Sequence, residues 1–258
     1  MVLQVIEFVG KKVLELCDVF GLFSLFLWHV LITLITTRLR LKKLFEQMRF
    51  IGVDSINIIL LTGAFSGAVL ALQSYIGFKR FGAEEFIGPV VALSLTRELG
   101  PVLTGLMVTG RAGSAIAAEI GTMQITEQID ALKTLNINVN QYLMVPRILG
   151  SVIILPFLTV FSMMCGIIGG YIISVYVLNL NGEQYISGIK SFLEFSDITG
   201  GLIKSSVFGL ILSWVGCYKG YYTSGGAKGV GVATTQSVVT ASILILISNY
   251  FLATMLFK

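Results

Sequence analysis

The sequence predicts an all-α polytopic membrane protein, with five transmembrane helices, an N-terminal amphipathic or elbow helix and a short helix on the cytoplasmic side. Of its 258 residues, 55% are hydrophobic and only 12% are charged, which is about half the charged fraction of an ordinary soluble domain. Several intervals also lack charge for longer than the roughly 20 residues that cross a bilayer core as a helix. Backbone polar groups in lipid must be satisfied within their own segment, so each span is predicted to be helical.

Three spans are uninterrupted by charge, and two others contain a few charged residues. The uninterrupted intervals cover 24, 35 and 29 residues, at Ser55–Phe78, Ile148–Gly182 and Gly229–Phe257. The helix in the second of these is expected to end before Asn179. The interrupted spans run over about 89–118 and 198–218, and they contain Arg97, Glu98, Arg111 and Lys204.

The first 50 residues are predicted to form a separate N-terminal region ahead of a transmembrane domain over 51–258. Residues 1–18 alternate apolar and charged positions with helical spacing, which suits a membrane surface. Val19–Thr37 is apolar enough to span. We favour an elbow that dips into the cytoplasmic leaflet over a sixth full span.

The distribution of basic residues predicts a multi-pass protein with a cytoplasmic N-terminus. Seven of the eighteen bases lie in the first 50 residues. Five alternating spans then bring twelve of the eighteen bases to the cytoplasmic side, and they leave residues 79–88 and 179–197 outside. Within the outer segment, Asn181-Gly182 is predicted to form a turn.

The composition excludes most catalytic chemistry. His29 is the single histidine, and the three cysteines lie far apart at Cys17, Cys165 and Cys217. No catalytic residue, metal site or cofactor is therefore predicted. The chain has no Walker-type nucleotide motif, so any ATP must be bound by a separate ATPase. A net charge of +4 does not indicate a nucleic-acid partner.

Arg97 and Glu98 are the most unusual residues of the second span. An ionisable pair about 12 Å into a span is costly and by default implies a cavity or a partner. Adjacent residues of a helix point about 100° apart, so these two side chains are not expected to pair with each other. A structural ion network between helices is the alternative reading. Pro101 is expected to bend the same helix, and the glycines around it are read as helix-packing positions.

Met123–Leu135, after the second span, reads as a short amphipathic helix. Ile125, Ile129, Leu132 and Leu135 form its apolar stripe. Such a helix can act as a lever for a cytoplasmic partner or can rest on lipid headgroups, and the sequence leaves both readings open.

Three blocks of the sequence form a specific pattern: Leu93–Thr104, Gly110–Met123 and Thr126–Leu132. Further stretches of the pattern lie at Gly67–Gln73, Val145–Arg147 and Gly229–Thr235. Together they resemble the MlaE family, the permease subunits of bacterial ABC systems that move phospholipids. The segment Asn136–Asn140 departs from the family because it lacks the Asp-Pro often seen there.

The resemblance implies a homodimer in the bacterial inner membrane of Gram-negative species. It further implies cytoplasmic ABC ATPase subunits, a STAS-domain regulator and a periplasmic MCE-domain hexamer as partners. Phospholipid would pass between the permease and the MCE protein, which maintains outer-membrane lipid asymmetry. The segment 119–135 would be the coupling helix that contacts the ATPase, with Glu119, Glu127, Gln128, Asp130 and Leu132 as its contact residues.

The substrate site is expected at the outer ends of the first two spans. Acyl chains need an apolar wall, and the candidates there are Leu70, Gln73, Tyr75, Ile76 and Gly77. A phosphate headgroup needs a cation, for which we expect Arg97, with Glu98 stabilising the helix or dimer contact around it.

Three other functions compete with this one. An ion channel or secondary transporter would use the Arg97/Glu98 pair in an ion pathway. A related permease would import sterol or other lipids. A membrane enzyme is the third, but it would need clustered His, Asp or Cys residues.

Overall fold

A computed structural model describes residues 2–37 and 39–257, and this part of the chain is helical with no β-strand. The α-helices are α1 (Val2–Thr36), α2 (Leu41–Gly52), α3 (Ile56–Phe78), α4 (Ile87–Ser94), α5 (Gly100–Val108), α6 (Ser114–Ile125), α7 (Gln128–Thr134), α8 (Val145–Ile172), α9 (Gly182–Phe192), α10 (Phe195–Tyr221) and α11 (Gly226–Leu256).

Among the described residues, five helical runs are long and apolar enough to cross a membrane. They cover Leu41–Phe81, Glu84–Ile125, Asn140–Val177, Phe195–Tyr221 and Gly226–Leu256. The predicted fold class and its five spans are thereby confirmed, and the third run ends before Asn179 as expected. We call the end of the bundle that carries α7 the α7 end, and the opposite end the α9 end.

The first 50 residues form α1, which is continuous over Val2–Thr36, and most of α2, which belongs to the first apolar run. The part Gly21–Thr36 is apolar but shorter than the five runs, so the elbow stays a prediction. Most side chains behind the amphipathic pattern of residues 1–18 lie outside the described residues. In the C-terminal half of α1, the Phe23 ring stacks on the Trp214 ring of α10, with centroids 3.9 Å apart.

The second membrane run is not a uniform α-helix. Two π-helical turns, Leu95–Leu99 and Thr109–Gly113, separate α4, α5 and α6. Pro101 lies in the first turn of α5 and has no N–H to donate to the carbonyl of Arg97 four residues earlier. The ammonium of Lys204 donates to that carbonyl at 2.9 Å. Thus the expected irregularity at Pro101 takes the form of a π-turn whose freed acceptor is satisfied by α10.

Small residues let the helices approach closely. A Cβ built on Gly63 would meet the Ser162 carbonyl oxygen at 2.6 Å, and one on Gly209 would meet the Ser151 carbonyl oxygen at 2.6 Å. These contacts join α3 and α10 to α8 at two levels along its length. The Ser151 hydroxyl also donates to the Gly209 carbonyl at 2.9 Å, which adds a hydrogen bond to the contact between α8 and α10.

The helix predicted over Met123–Leu135 is shorter than expected. Residues up to Ile125 continue α6, and the chain then turns at Glu127, whose φ of 58° is left-handed. Only the seven residues of α7 follow. Ile129 is fully buried, whereas Leu135 is 70% exposed and does not share its apolar stripe. The sequence predicts a single helix because the spacing of apolar residues continues through the turn at Glu127.

The turn predicted at Asn181-Gly182 is wrong, because these residues begin α9. Asn181 is the N-cap, and its side-chain oxygen accepts from the Glu183 amide at 2.9 Å. Tyr185 of α9 is buried between α4 and α8, and this burial raises the pKa of its phenol. The protonated hydroxyl donates to the Ile167 carbonyl at 3.4 Å.

Candidate functional site

Arg97 and Glu98 lie in the π-turn Leu95–Leu99 and point to different partners. Arg97 Nε donates to Asp197 Oδ1 at 2.7 Å. The carboxylate belongs to the first turn of α10 and is 1% exposed, whereas the arginine side chain is 41% exposed. The expectation that the two neighbours do not pair with each other is confirmed.

Glu98 binds two side chains from two other spans. Its Oε1 accepts from Lys204 Nζ at 2.7 Å, and its Oε2 accepts from Asn249 Nδ2 at 2.9 Å. Lys204 is fully buried, and Glu98 is 40% exposed. The second, fourth and fifth spans are therefore linked by one polar network, which we call the Glu98 network: Arg97, Glu98, Asp197, Lys204 and Asn249.

Phe257, just after α11, covers one side of the Glu98 network. Its ring centroid is 5.3 Å from Arg97 Cζ and 4.9 Å from Lys204 Nζ, which is cation–π distance. Beside it lies a cavity of about 300 Å³, lined by Leu93, Ser94, Arg97, Glu98, Ala253 and Phe257. Arg97 and Glu98 thus line the cavity, whereas their partners Asp197 and Lys204 are buried.

The Glu98 network is electrically neutral, since two cations balance two carboxylates. Arg97 uses only Nε in its bond to Asp197. Its two terminal nitrogens make no hydrogen bond to another residue in the described part of the chain. A planar guanidinium with free terminal N–H groups can bind a phosphate in bidentate fashion.

The residues expected to line the acyl-chain wall are not brought to this cavity within one chain. Leu70 and Tyr75 pack against the buried cluster of Ala71, Ile87, Val91, Leu95 and Tyr185. Gln73, Ile76 and Gly77 are exposed on α3 near the α9 end. A Cβ on Gly77 would meet nothing within 4 Å.

The residues expected to contact an ATPase gather at the α7 end. Glu119 binds Arg147 Nη2 at 2.8 Å and stays 51% exposed. Gln128 and Asp130 are exposed, and Leu132 packs on the core. Asp130 accepts from Lys133 Nζ at 2.8 Å, and this hydrogen bond raises the lysine's pKa. Glu127 forms the left-handed turn before α7.

A second arginine of the same run is tied down near the α7 end. Arg111 donates to the Phe50 carbonyl at 2.6 Å, to the Ser55 hydroxyl at 3.0 Å and to Asp54 Oδ2 at 2.9 Å. All of these hydrogen bonds go to residues at the junction of α2 and α3. Arg111 therefore has a structural role, unlike the half-exposed Arg97.

Asp197, Lys204, Asn249 and Phe257 were missed as site residues. The signal was present for Lys204, since an ammonium inside the fourth span needs a carboxylate, and Glu98 is the carboxylate inside the second. Asn249 gave a weaker signal as an amide within a charge-free span. No group of three or more His, Cys, Asp or Glu able to hold a metal occurs among the described residues.

Comparison with known proteins decides the family. A family model described as "Permease MlaE" matches residues 44–255, which takes in all five apolar runs except for their outermost residues. The chain belongs to the MlaE permease family. The residues that match the MlaE model include the whole Glu98 network and the helix α7.

MlaE relatives match over most or all of their length. A probable ABC transporter permease protein of Rickettsia typhi is 48% identical over 258 residues, covering 100% of both chains. The intermembrane phospholipid transport system permease protein MlaE of Haemophilus influenzae is 36% identical over 258 residues, which is 100% of this chain and 99% of the relative. The chloroplastic protein TRIGALACTOSYLDIACYLGLYCEROL 1 of Arabidopsis thaliana is 37% identical over 230 residues, covering 89% and 66%.

Proposed function

We propose that this chain is the permease subunit of an ABC transporter that moves phospholipids between the bacterial inner membrane and a periplasmic MCE-domain partner. The permease acts as a homodimer with separate cytoplasmic ATPase subunits and a STAS-domain regulator, and the assembly maintains outer-membrane lipid asymmetry. The name of the Haemophilus relative and the family match support the lipid substrate. The chain itself binds and releases lipid without covalent chemistry.

The observation that carries this proposal is the half-exposed Arg97 inside an apolar span. Its terminal nitrogens make no hydrogen bond to another described residue, and its side chain lines the cavity beside Phe257. A lipid phosphate can bind there without breaking the bond to Asp197. The neutral Glu98 network also argues against an ion pathway, because its charges are already paired between helices.

Arg97→Met is expected to lower phospholipid retention by roughly 10- to 100-fold, because a hydrogen bond to a charged group contributes about 1.5–3 kcal/mol. Mass spectrometry of lipid retained by the purified complex measures this loss. The substitution also strands the buried Asp197 carboxylate, so the double variant Arg97→Met/Asp197→Asn separates the two effects. Arg80→Met, at an exposed position near the α9 end, is the matched control.

The double variant distinguishes a headgroup role from a structural one. If Arg97 binds the phosphate, lipid retention stays low after the Asp197 charge is removed, while thermal stability recovers. Full recovery of both quantities would refute the headgroup role.

The α7 end supports the ATPase contact. Glu119, Gln128 and Asp130 are exposed there, while Ile129 and Leu132 anchor α7 to the core. A short helix anchored in this way transmits a displacement between the ATPase and the membrane helices. We place this end in the cytoplasm because it collects most of the basic residues.

Charge reversal by Asp130→Lys is expected to lower ATPase co-purification and lipid-stimulated ATP hydrolysis. The change also breaks the bond to Lys133, so Lys133→Gln, which breaks the same bond but keeps the carboxylate, is the control. Loss of ATPase binding in Asp130→Lys alone supports the contact. Equal effects of both variants would assign the loss to α7 stability.

A further inference from the structure

A second cavity lies at the α7 end, far from the Glu98 network. Its volume is about 710 Å³, and its walls include Lys43, Gln47, Ala118, Glu119, Tyr142 and Arg147. Glu119 follows Glu98 by 21 residues in the same helical run, so the two cavities are about 32 Å apart along that run at 1.5 Å per residue. Neither Arg97 nor any other residue of the Glu98 network lines this cavity.

The cavity lies where the apolar part of the bundle ends. Arg147 directly precedes the charge-free interval that begins at Ile148, and Glu119 directly follows the small-residue stretch of α6. Their ion pair at 2.8 Å therefore lies where the charge-free part of both runs ends, which is the level at which lipid headgroups are expected. A site at this level is reached from the membrane interface.

The shape of the cavity suits an amphiphile. Ala115, Ala118 and Thr122 line it from successive turns of one face of α6, so it extends about 10 Å along this helix. Ala115 and Ala118 give the cavity an apolar wall. Lys43 and Glu119 are partly exposed at its mouth, and the buried Arg147 also lines it.

Two buried polar atoms at this cavity lack a partner in the described part of the chain. Arg147 is 3% exposed; its Nη1 donates to the Leu143 carbonyl at 2.7 Å, and its Nη2 binds Glu119. Its Nε has no acceptor, and Gln47 Oε1 has no donor. A buried polar group without a partner is costly. A ligand with both an anionic oxygen and a donor group would satisfy the two atoms by displacing the side chains that cover them.

The charge around the mouth is positive on balance. Arg40 and Lys43 lie over the Tyr142 ring, at 5.1 and 5.5 Å from its centroid. With Arg147 they make three cations, against the carboxylates of Glu119 and of Glu46, which binds Lys43 at 3.1 Å. The excess favours an anionic group such as a phosphate ester.

The two faces of α2 connect this site to lipid. Leu41 and Phe45, four residues apart, are 59% and 65% exposed, as expected for a helix face in contact with acyl chains. Lys43 and Gln47, on another face, line the cavity. A lipid beside α2 therefore has its headgroup within reach of the cavity mouth.

We propose that this cavity binds a phospholipid of the adjoining leaflet, with its phosphate at Arg147 and Lys43 and its acyl chain along Ala115 and Ala118. This site goes beyond the transport site at Arg97 and is separate from it. Bound lipid would join α2, the start of α8 and α6, the helix that directly precedes and contacts α7. Lipid occupancy would thus stabilise the surface on which the ATPase acts.

Photo-crosslinking of the full chain in nanodiscs tests this site. The nanodiscs contain phosphatidylethanolamine and phosphatidylglycerol with a trace of phosphatidylethanolamine that bears a diazirine at the start of one acyl chain. Mapped cross-links are expected at 115–122 and 142–147. Ala118→Trp, which fills part of the cavity beside its apolar wall, should lower them at least fivefold, and Gln47→Leu should lower them less. Ala227→Trp, at an exposed alanine of α11, should leave them unchanged.

The remaining outcomes identify other occupants. Absence of cross-links at these segments, or cross-links unchanged by Ala118→Trp, would overturn the proposal. Complete competition by inorganic phosphate would assign the site to a free anion, and protection only by added ATPase would assign it to a protein contact. Either result also overturns the lipid site. Persistence of the cross-links in Arg97→Met/Asp197→Asn would show that the site is independent of the transport site.

Discussion

Lys204 makes two hydrogen bonds with one ammonium group, and both compensate for features of another helix. One goes to the Glu98 carboxylate and one to the carbonyl that Pro101 leaves without its usual donor. Within an apolar span the carbonyl has no water to bind and the carboxylate needs a counter-charge, so each benefits from a partner in the protein. The Lys204 side chain therefore neutralises the Glu98 carboxylate and also supplies the hydrogen bond that Pro101 cannot donate.

Lys204→Met is expected to destabilise the protein by about 3 kcal/mol, the lower end of the range for a broken buried ion pair, because Glu98 is 40% exposed. Thermal unfolding of the purified chain in detergent measures this change. Lys204→Met/Glu98→Gln, which also removes the carboxylate charge, should recover part of the loss. A single variant as stable as the parent would contradict the assigned role.

At this scale the sequence shows which residues are costly but not how they pair. Arg97 and Glu98 stand out because a charge in an apolar span is expensive. Their partners lie on α10 and α11, about 100 to 150 residues later in the sequence. Which side chains meet depends on how these helices pack against the second span. Asp197, at the edge of its span, carries no such cost signal, and Asn249, an uncharged amide, carries only a weak one.

Among the elements, the contact between α3 and α8 depends on glycines that face backbone. A Cβ on Gly67 would overlap the carbonyl of Gly166, and one on Gly169 would meet the Ala64 carbonyl. Backbone cannot rotate away as a side chain can. The two helices would have to separate, which would also disturb their contacts with α4 and α10.

Gly67→Ala is expected to destabilise the protein by about 1–3 kcal/mol through overpacking. Gly77→Ala on the same helix meets open space, so the better helix propensity of alanine should make it neutral or stabilising by up to about 1 kcal/mol. Melting temperatures of the two variants provide the comparison. Equal melting temperatures of the two variants would contradict the view that the contact between α3 and α8 requires glycine at position 67.

The long elements are predictable from sequence because hydrophobicity alone determines them. The short ones are harder, since α7 and α9 carry mixed charge and only a few apolar anchors. α9 did have a start signal, an Asn N-cap followed by an acidic first turn. Glu194 and Asp197 likewise form a capping box at the start of α10, although the same Asp197 also serves the Glu98 network.

For the whole molecule, the distribution of bases predicts which end of the bundle is cytoplasmic. With Cys17, Cys165 and Cys217 replaced by Ser, single cysteines report each side. A membrane-impermeant maleimide should label Arg80→Cys and Lys190→Cys in intact spheroplasts. It should label Thr134→Cys and Lys228→Cys only after lysis. The reverse pattern would invert the proposed topology and move the ATPase contact away from α7.

The order of synthesis gives the Glu98 network a further consequence. Glu98 enters the membrane 106 residues before Lys204, and a charge at the centre of an inserting helix costs about 2.5–3.5 kcal/mol. Until the fourth span emerges from the ribosome, the second holds a carboxylate without its cation. The nascent permease is therefore least stable between its second and fourth spans, so chains truncated there should be the preferred substrates of membrane quality-control proteases.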